Sequence, residues 1–385
     1  MRVLLVEEGG VGGVADYTAE LSAAIARAGW DVHVATSTDY DYPEAPGVTM
    51  HPWFPYVRGR NPLGRAIRRF KLSKPVNGFT HFAANAPVLR LGRHCDIVHV
   101  QGGEWPPLGA VQAGLLRAAR QPFVWTPHNL FDRFGAGYPR SRDITRRWAA
   151  RMIVHAEYDR RHLPPASAAN AVVIPHGEYG GLTRRAPTQD DPAESRAALG
   201  LPEDAIVVLL FGHLRPDKGV RDIALAAREV PEVHLLLAGL DQGGLDDAAD
   251  VLESPELRER VTVREGFVPF EEMGRVFAAS DVAAVPYHVA SASGVLLLSY
   301  AYKLPVVAYP VGGLPEYVSN GETGWLCPAQ DPAALADSLR DVVARGRDEC
   351  RARGEAALRY SHTHFSWDEI ARRTTELYVN VLNRT

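Results

Sequence analysis

Three cations follow one another where an apolar run stops: His213, Arg215 and Lys218, in the stretch IVVLLFGHLRPDKGV from Ile206 to Val220. The run Ile206–Phe211 has the length of a buried strand. Gly212 breaks it, and Gly219-Val220 lead into a helical pattern, VRDIALAAREV. A strand, a glycine turn, fixed cations and a helix start together make an anion site. Backbone N–H groups and the positive end of the helix dipole face the ligand, and Arg and Lys add full charges. A diphosphate has the matching charge. A surface turn with solvated Arg and Lys has the same composition, but these cations follow a buried strand rather than lie on an exposed helix face.

A second stretch carries related chemistry. In SASGVLLLSYAY, Ser293 and Gly294 open an apolar helix whose N-terminus is a further anion site. Ser293 also suits a plain N-cap, and Gly294 leaves the amides accessible either way. Four histidines, His99, His128, His155 and His176, stand at or just after the ends of expected strands. In an open parallel sheet, ligands bind in the crevice at those carboxyl ends. His128, in TPHN behind the helix-breaking Pro127, is the strongest candidate among them. Near the N-terminus, Gly9, Gly10, Gly12 and Gly13 let backbone approach a ligand closely. Their spacing departs from the dinucleotide fingerprint at Ala15, which disfavours a nicotinamide dehydrogenase.

The elements that must hold these residues alternate strand and helix. RVLLVE (2–7), a glycine loop, an amphipathic helix ending at Gly29 and DVHVAT (31–36) make a βαβ opening, so a parallel sheet is expected. Further strands read at 96–101, 122–129, 151–155 and 171–177. Residues 180–204 are polar, with Pro187, Pro192 and Pro202, and read as a linker with a short helix. Strand, glycine loop and helix then recur from residue 206, through EVHLLLAG (232–239), 261–269 and 281–287. A helix is expected over 331–345, and FSWDEIARRTTELYVNVLNR is a terminal amphipathic helix with Trp367, Ile370, Leu377, Tyr378 and Val381 on its apolar face. Residues 43–92 are the least regular. They carry aromatics and a basic run, Arg58, Arg60, Arg65, Arg68, Arg69, Lys71 and Lys74, which suits a solvated face, an anionic-lipid contact or a pocket wall.

The totals set limits. A chain of 385 residues suggests two domains. A net charge of −4 implies no nucleic-acid partner. Cys95, Cys327 and Cys350 lack metal-site spacing, and so sparse a count fits reduced thiols and a cytoplasmic location. No signal peptide or membrane-spanning run is evident.

Taken together, these residues resemble the retaining nucleotide-sugar glycosyltransferases of family 4, which have the GT-B fold. The likeness covers nearly the full length: GGVGGV, FGHLRPDKG, SGVLLLSYAYKLPVVAYPVGGLPEYVSNGETGWL and FSWDEIARRTTELY each match a family motif. The resemblance implies an α/β fold with two Rossmann-like doubly wound domains facing across a cleft. Residues 1–183, with a terminal helix 366–385 crossing back, form the acceptor-binding domain, and 184–365 the donor-binding domain. It implies Arg215 and Lys218 on the donor pyrophosphate, Ser293, Gly294 and Val295 on phosphate or ribose, and backbone near Phe267 and Val268 on the nucleobase. His128 meets the donor sugar near the reacting carbon, and Gly12 and Gly13 close the phosphate site. The donor is a nucleoside-diphosphate sugar, UDP favoured, with no metal or other cofactor.

This chain departs from the family twice. Gly212-His213 replaces the frequent Gly-Arg, leaving Arg215 as the cation. No carboxylate lies between Asp281 and Glu316, where many members have two glutamates; Leu298 and Ser299 stand around the second, and Glu316 becomes the candidate ribose contact. Rival readings are a metal-dependent transferase using the D-x-D of Asp39-Tyr40-Asp41, a sugar-nucleotide epimerase or hydrolase, and a non-catalytic sugar-nucleotide binder. The acceptor is left as a sugar, a lipid-linked glycan or a small molecule, with peripheral membrane contact through 58–74 expected for the lipid-linked case.

Overall fold

The structure, a computed structural model, describes residues 1–40, 42, 45–55, 73–102, 106–128, 130, 139–185 and 191–384. The chain divides into two compact units, Met1–Gly177 with Trp367–Thr385, and Glu178–Ser366. The basic run 58–72 and Asp41 of the D-x-D lie outside the described residues, as do the side chains of residues 73–75.

The first unit is built on a seven-stranded sheet in the order β3-β2-β1-β4-β5-β6-β7. Its strands are β1 Arg2–Glu7, β2 Asp31–Ser37, β3 Val48–Phe54, β4 Ile97–Gln101, β5 Phe123–Thr126, β6 Arg151–Val154 and β7 Ala171–Val173. All neighbouring pairs are parallel, and β1 lies in register between β2 and β4. Apolar side chains alternate to the two faces, as the period of two in a strand dictates. Leu4 and Val6 join one core with Val98 and Trp125, while Val3 and Leu5 join the other with Val32 and Ile97. The terminal helix Trp367–Leu382 covers this second face through Trp367, Ile370, Leu377, Tyr378 and Val381. Each such buried side chain contributes about 1.5–3 kcal/mol. The Trp367 ring packs where a Cβ at Gly177 would come within 2.3 Å of it, so a larger residue at 177 would push the helix away.

The second unit repeats the plan with six parallel strands in the order β10-β9-β8-β11-β12-β13. They are β8 Ile206–Phe211, β9 Val233–Gly239, β10 Val261–Glu265, β11 Val282–Val285, β12 Val306–Ala308 and β13 Gly324–Leu326. Both sheets therefore reverse their winding beside the first strand of the unit, between β1 and β4 and between β8 and β11. Crevices for ligands form at the carboxyl ends of such strand pairs.

Two elements differ from the sequence expectation. β3 forms inside the irregular 43–92 stretch despite Pro52, because it is an edge strand where a missing N–H costs no ladder bond. The helix expected over 331–345 runs as Pro332–His364, broken internally at Gly346, whose φ of 76° only glycine adopts readily. Its start is capped by Asp331, whose Oδ1 accepts from the N–H groups of Ala333 and Ala334. No helix among the described residues is long and apolar enough to cross a membrane.

Candidate functional site

In the second unit the β8 turn holds its cations where the sheet reverses. After Phe211 the chain passes through Gly212 to a short 3-10 turn, Pro216–Lys218, and Gly219, at φ 72°, starts the helix Val220–Arg228. The Asp217 carbonyl accepts from the N–H of His288, just beyond β11, at 2.9 Å. The Lys218 ammonium lies 3.5 Å from the ring centre of Tyr287, also beyond β11. A Cβ at Gly212 would stand 3.4 Å from the Val295 side chain, so the turn also abuts the start of the helix Gly294–Ala301. The turn that carries Arg215 and Lys218 thus lies against the residues beyond β11 and the start of this helix. His213 is held below the usual imidazole range by burial, and then by the charges of Arg215 and Lys218. The local positive field therefore comes from Arg and Lys.

Side-chain partners refine this picture. Arg215 is forked onto its neighbour Asp217, with Nε to Oδ1 at 2.7 Å and one terminal nitrogen to Oδ2 at 2.8 Å. The sequence reading missed Asp217 as this partner, although a carboxylate two residues from an arginine in a tight turn was a visible signal. Ser293 is an N-cap, its Oγ accepting from the N–H of Leu296 at 3.2 Å. This bond uses the oxygen as acceptor and leaves the O–H as a donor. Gly294 has a packing reason of its own, since a Cβ there would lie 2.6 Å from the Tyr179 hydroxyl. Phe267 is 77% exposed beyond β10, Val268 packs partly into the core, and Glu316 is exposed at the end of the turn Leu314–Glu316.

In the first unit a cavity lies where β1 and β4 diverge. It is lined by Glu7, Glu8 and Gly9 at the end of β1, Gln101 and Gly102 at the end of β4, and Pro127 and His128 after β5. Gln112 from the helix Pro106–Ala118 and Arg142 and Thr145 from the helix Pro139–Trp148 complete its polar wall. Glu7 organises the glycine loop and was not singled out from sequence. Its buried carboxylate accepts from the N–H groups of Gly9 and Gly10 at 2.7 and 2.8 Å and from the Thr36 hydroxyl at 2.9 Å. An acid ending an apolar strand was the available clue. Gly10, at φ 73°, could not carry a Cβ, which would lie 2.5 Å from that of Ser37. Gly12, at φ 83°, caps the helix Gly13–Arg27 with open space around it, and Gly13 is exposed. Gly10→Ala is accordingly expected to destabilise by about 1–3 kcal/mol, against about 1 kcal/mol for Gly12→Ala, where only the backbone is strained. Denaturant titration of the two variants measures the difference.

Three of the four histidines gather around one side chain. Tyr17 is fully buried, with the rings of His128, His155 and His176 centred 4.7, 5.2 and 5.1 Å away. His128 Nε2 donates to Gln101 Oε1 at 3.0 Å, which leaves Nδ1 as the acceptor on a neutral ring. Burial, then the neighbouring histidines, keeps His128 well below the usual imidazole range. His155 and His176 donate through Nδ1 to the carbonyls of Ile174 and Gly177, and burial brings them down to about 4 and about 3. His99 lies within β4, bonded to the Tyr378 hydroxyl at 2.5 Å and to Thr126 at 2.7 Å. It is a core residue tying the terminal helix to the sheet, not a cavity residue. No three His, Cys, Asp or Glu side chains among the described residues group as a metal site.

Known proteins resemble this chain in sequence and in fold. The family model described as "Glycosyltransferase Family 4" matches residues 11–177, and that described as "Glycosyl transferases group 1" matches residues 191–359. A D-inositol 3-phosphate glycosyltransferase of Mycolicibacterium gilvum is 30% identical over 394 aligned residues, covering 93% of this chain and 82% of the relative. Sucrose-phosphate synthase from Thermosynechococcus elongatus superposes over all of both chains with a TM-score of 0.72 at 22% identity. HepE from Anabaena, solved with UDP-glucose, covers 99% of this chain, and all of HepE is matched, with a TM-score of 0.71 at 20% identity. The two parallel-sheet units are those of the GT-B fold, and the chain belongs to the family 4 glycosyltransferases.

Proposed function

We propose that this glycosyltransferase moves a hexose from a nucleoside-diphosphate sugar, UDP favoured, to a hydroxyl of a polyol or sugar acceptor with retention of configuration. The carrying observation is that the turn bearing Arg215 and Lys218 abuts the residues beyond β11 and the start of the helix Gly294–Ala301. Cleaving the sugar–phosphate bond builds negative charge on the leaving diphosphate. Two cations and free helix amides stabilise that charge more in the transition state than before it. The acceptor attacks on the face the diphosphate leaves, and a leaving phosphate oxygen takes its proton. No enzyme nucleophile or metal takes part. Phe267 and Val268 stand by the nucleobase, Ser293 and Gly294 by phosphate or ribose through backbone, and Glu316 by the ribose. The second unit is the donor-binding one.

The first unit is the acceptor-binding one, and His128 meets the transferred sugar there as a neutral hydrogen-bonding group. Arg142, half-buried in the cavity wall, has no ion-pair partner among the described residues, which suits an anionic group on the acceptor. Relatives named for D-inositol 3-phosphate point to the same class, a phosphorylated polyol. A lipid-linked acceptor is the second reading. It is favoured by Phe79 and Phe82, 72% and 55% exposed on the helix Ser73–Gly92 that follows the basic run. Co-sedimentation with anionic vesicles separates the two.

Incubation with UDP-glucose, with and without D-inositol 3-phosphate, is the test. An α-linked product formed equally in EDTA supports the reading. Loss of turnover in EDTA restored by Mn²⁺ would replace it with metal-dependent transfer. UDP release that ignores acceptors would indicate a hydrolase, and binding without any product a non-catalytic binder.

A further inference from the structure

We propose that Gln112 determines acceptor specificity in the first unit by hydrogen-bonding two neighbouring hydroxyls of a polyol ring. This rests on the reading of that unit as the acceptor-binding one. Gln112 is 1% exposed, yet neither its side-chain oxygen nor its nitrogen has a hydrogen-bond partner among the described residues. A buried amide without partners opposes folding, and a leucine or methionine of similar size would remove that opposition. Its retention in the helix Pro106–Ala118, beside the buried Ala113 and Leu116, calls for a partner that comes and goes.

Three other polar groups in the cavity wall are engaged. Glu7 holds the glycine loop, Glu8 lies 3.3 Å from His81, and Gln101 accepts from His128. Gln112 lines the same cavity with both atoms unused. Its chemistry restricts the guest. A primary amide offers donors and an acceptor from one rigid plane. That pattern complements adjacent hydroxyls, one accepting and one donating. A lone carboxylate or phosphate would leave the amide oxygen facing like charge, and an apolar ligand would leave both atoms unpaired. The cavity, about 40 Å³, admits water-sized groups such as the hydroxyl edge of a ring.

The experiment is saturation-transfer NMR with myo-inositol at millimolar concentration, on wild type and on Gln112→Met, which keeps length and loses the hydrogen bonds. Gln112→Glu is carried as a second variant that keeps the acceptor oxygens. Melting temperature and the thermal shift given by UDP-glucose are recorded for each. The expected result is a wild-type inositol signal reduced at least tenfold in Gln112→Met, with melting at or above wild type and the UDP-glucose shift unchanged. Gln112→Glu is expected to keep part of the signal. No inositol signal from wild type, or equal signals from wild type and Gln112→Met, would overturn the proposal, the latter assigning the amide to a buried water. Absence of a UDP-glucose shift in wild type strikes the transfer reading instead, and leaves the inositol signal to decide on Gln112.

Discussion

Lys218→Ala is expected to lower turnover of UDP-glucose by about 10²–10³-fold, the loss typical when one preorganised donor to a developing anion is removed. The same change should cost little stability. One contact it removes is the ammonium over the Tyr287 ring at 3.5 Å, worth about 0.5–1 kcal/mol where water reaches it. A structural role for Lys218 therefore predicts a small loss of stability and nothing else, whereas a role at the diphosphate predicts a loss of several kcal/mol in the barrier alone. Arg215 gives a less clean test, because its removal also leaves Asp217 without its forked partner. Lys218→Arg keeps the charge but not the compact ammonium geometry, and should restore part of the rate. The measurement is kcat with melting temperature on each variant. Turnover within twofold of wild type in Lys218→Ala would remove Lys218 from the chemistry.

Mild acid is expected to unfold the first unit before the second. His99, His128, His155 and His176 are all held neutral, chiefly by burial: His99 and His176 down to about 3, His155 to about 4, and His128 well below its ordinary value. The sign follows from these directions. Above about pH 6.5 both folded and unfolded histidines are neutral and stability is undiminished. As the pH falls below that, the unfolded chain binds protons that the folded unit refuses, and stability is lost. At pH 5.0 each group costs about 2 kcal/mol, so four cost at most about 8 kcal/mol. That is comparable with the 5–15 kcal/mol holding a typical domain. In the second unit two histidines, His213 and His234, move the same way. Hydrogen exchange followed from pH 7 to pH 4 should show β1, β4 and β5 losing protection while β8 and β9 keep theirs. Full protection of β1 and β4 at pH 4 would contradict neutral, buried imidazoles.

The strands were legible because their runs are apolar and end in polar residues, as RVLLVE and IVVLLF do. Their ends were not. PFVWTPHN reads as one extended stretch, but Pro127 has no N–H for the ladder, and β5 stops at Thr126. Pro52 hid β3 for the same reason, and Gly346 suggested a helix end where it makes only a break. At the site, cations in a glycine turn can be read from spacing, so Arg215 and Lys218 stood out. Gln112 could not. A glutamine in AVQAGLL looks like any surface residue of an amphipathic helix, and only tertiary packing reveals that its amide is buried and unmatched. His99 looked equivalent to His128 from its position near a strand end, yet His99 pairs with Val124 inside the sheet whereas His128 lies beyond the end of β5.

A crystal structure of the protein with UDP is the most direct measurement. Donor binding at the β8 turn requires the diphosphate oxygens about 2.7–2.9 Å from the Lys218 ammonium and the Arg215 guanidinium, with the Gly294 and Val295 amides turned toward them. A diphosphate held elsewhere, with Lys218 still stacked on Tyr287 and facing no phosphate, would contradict it.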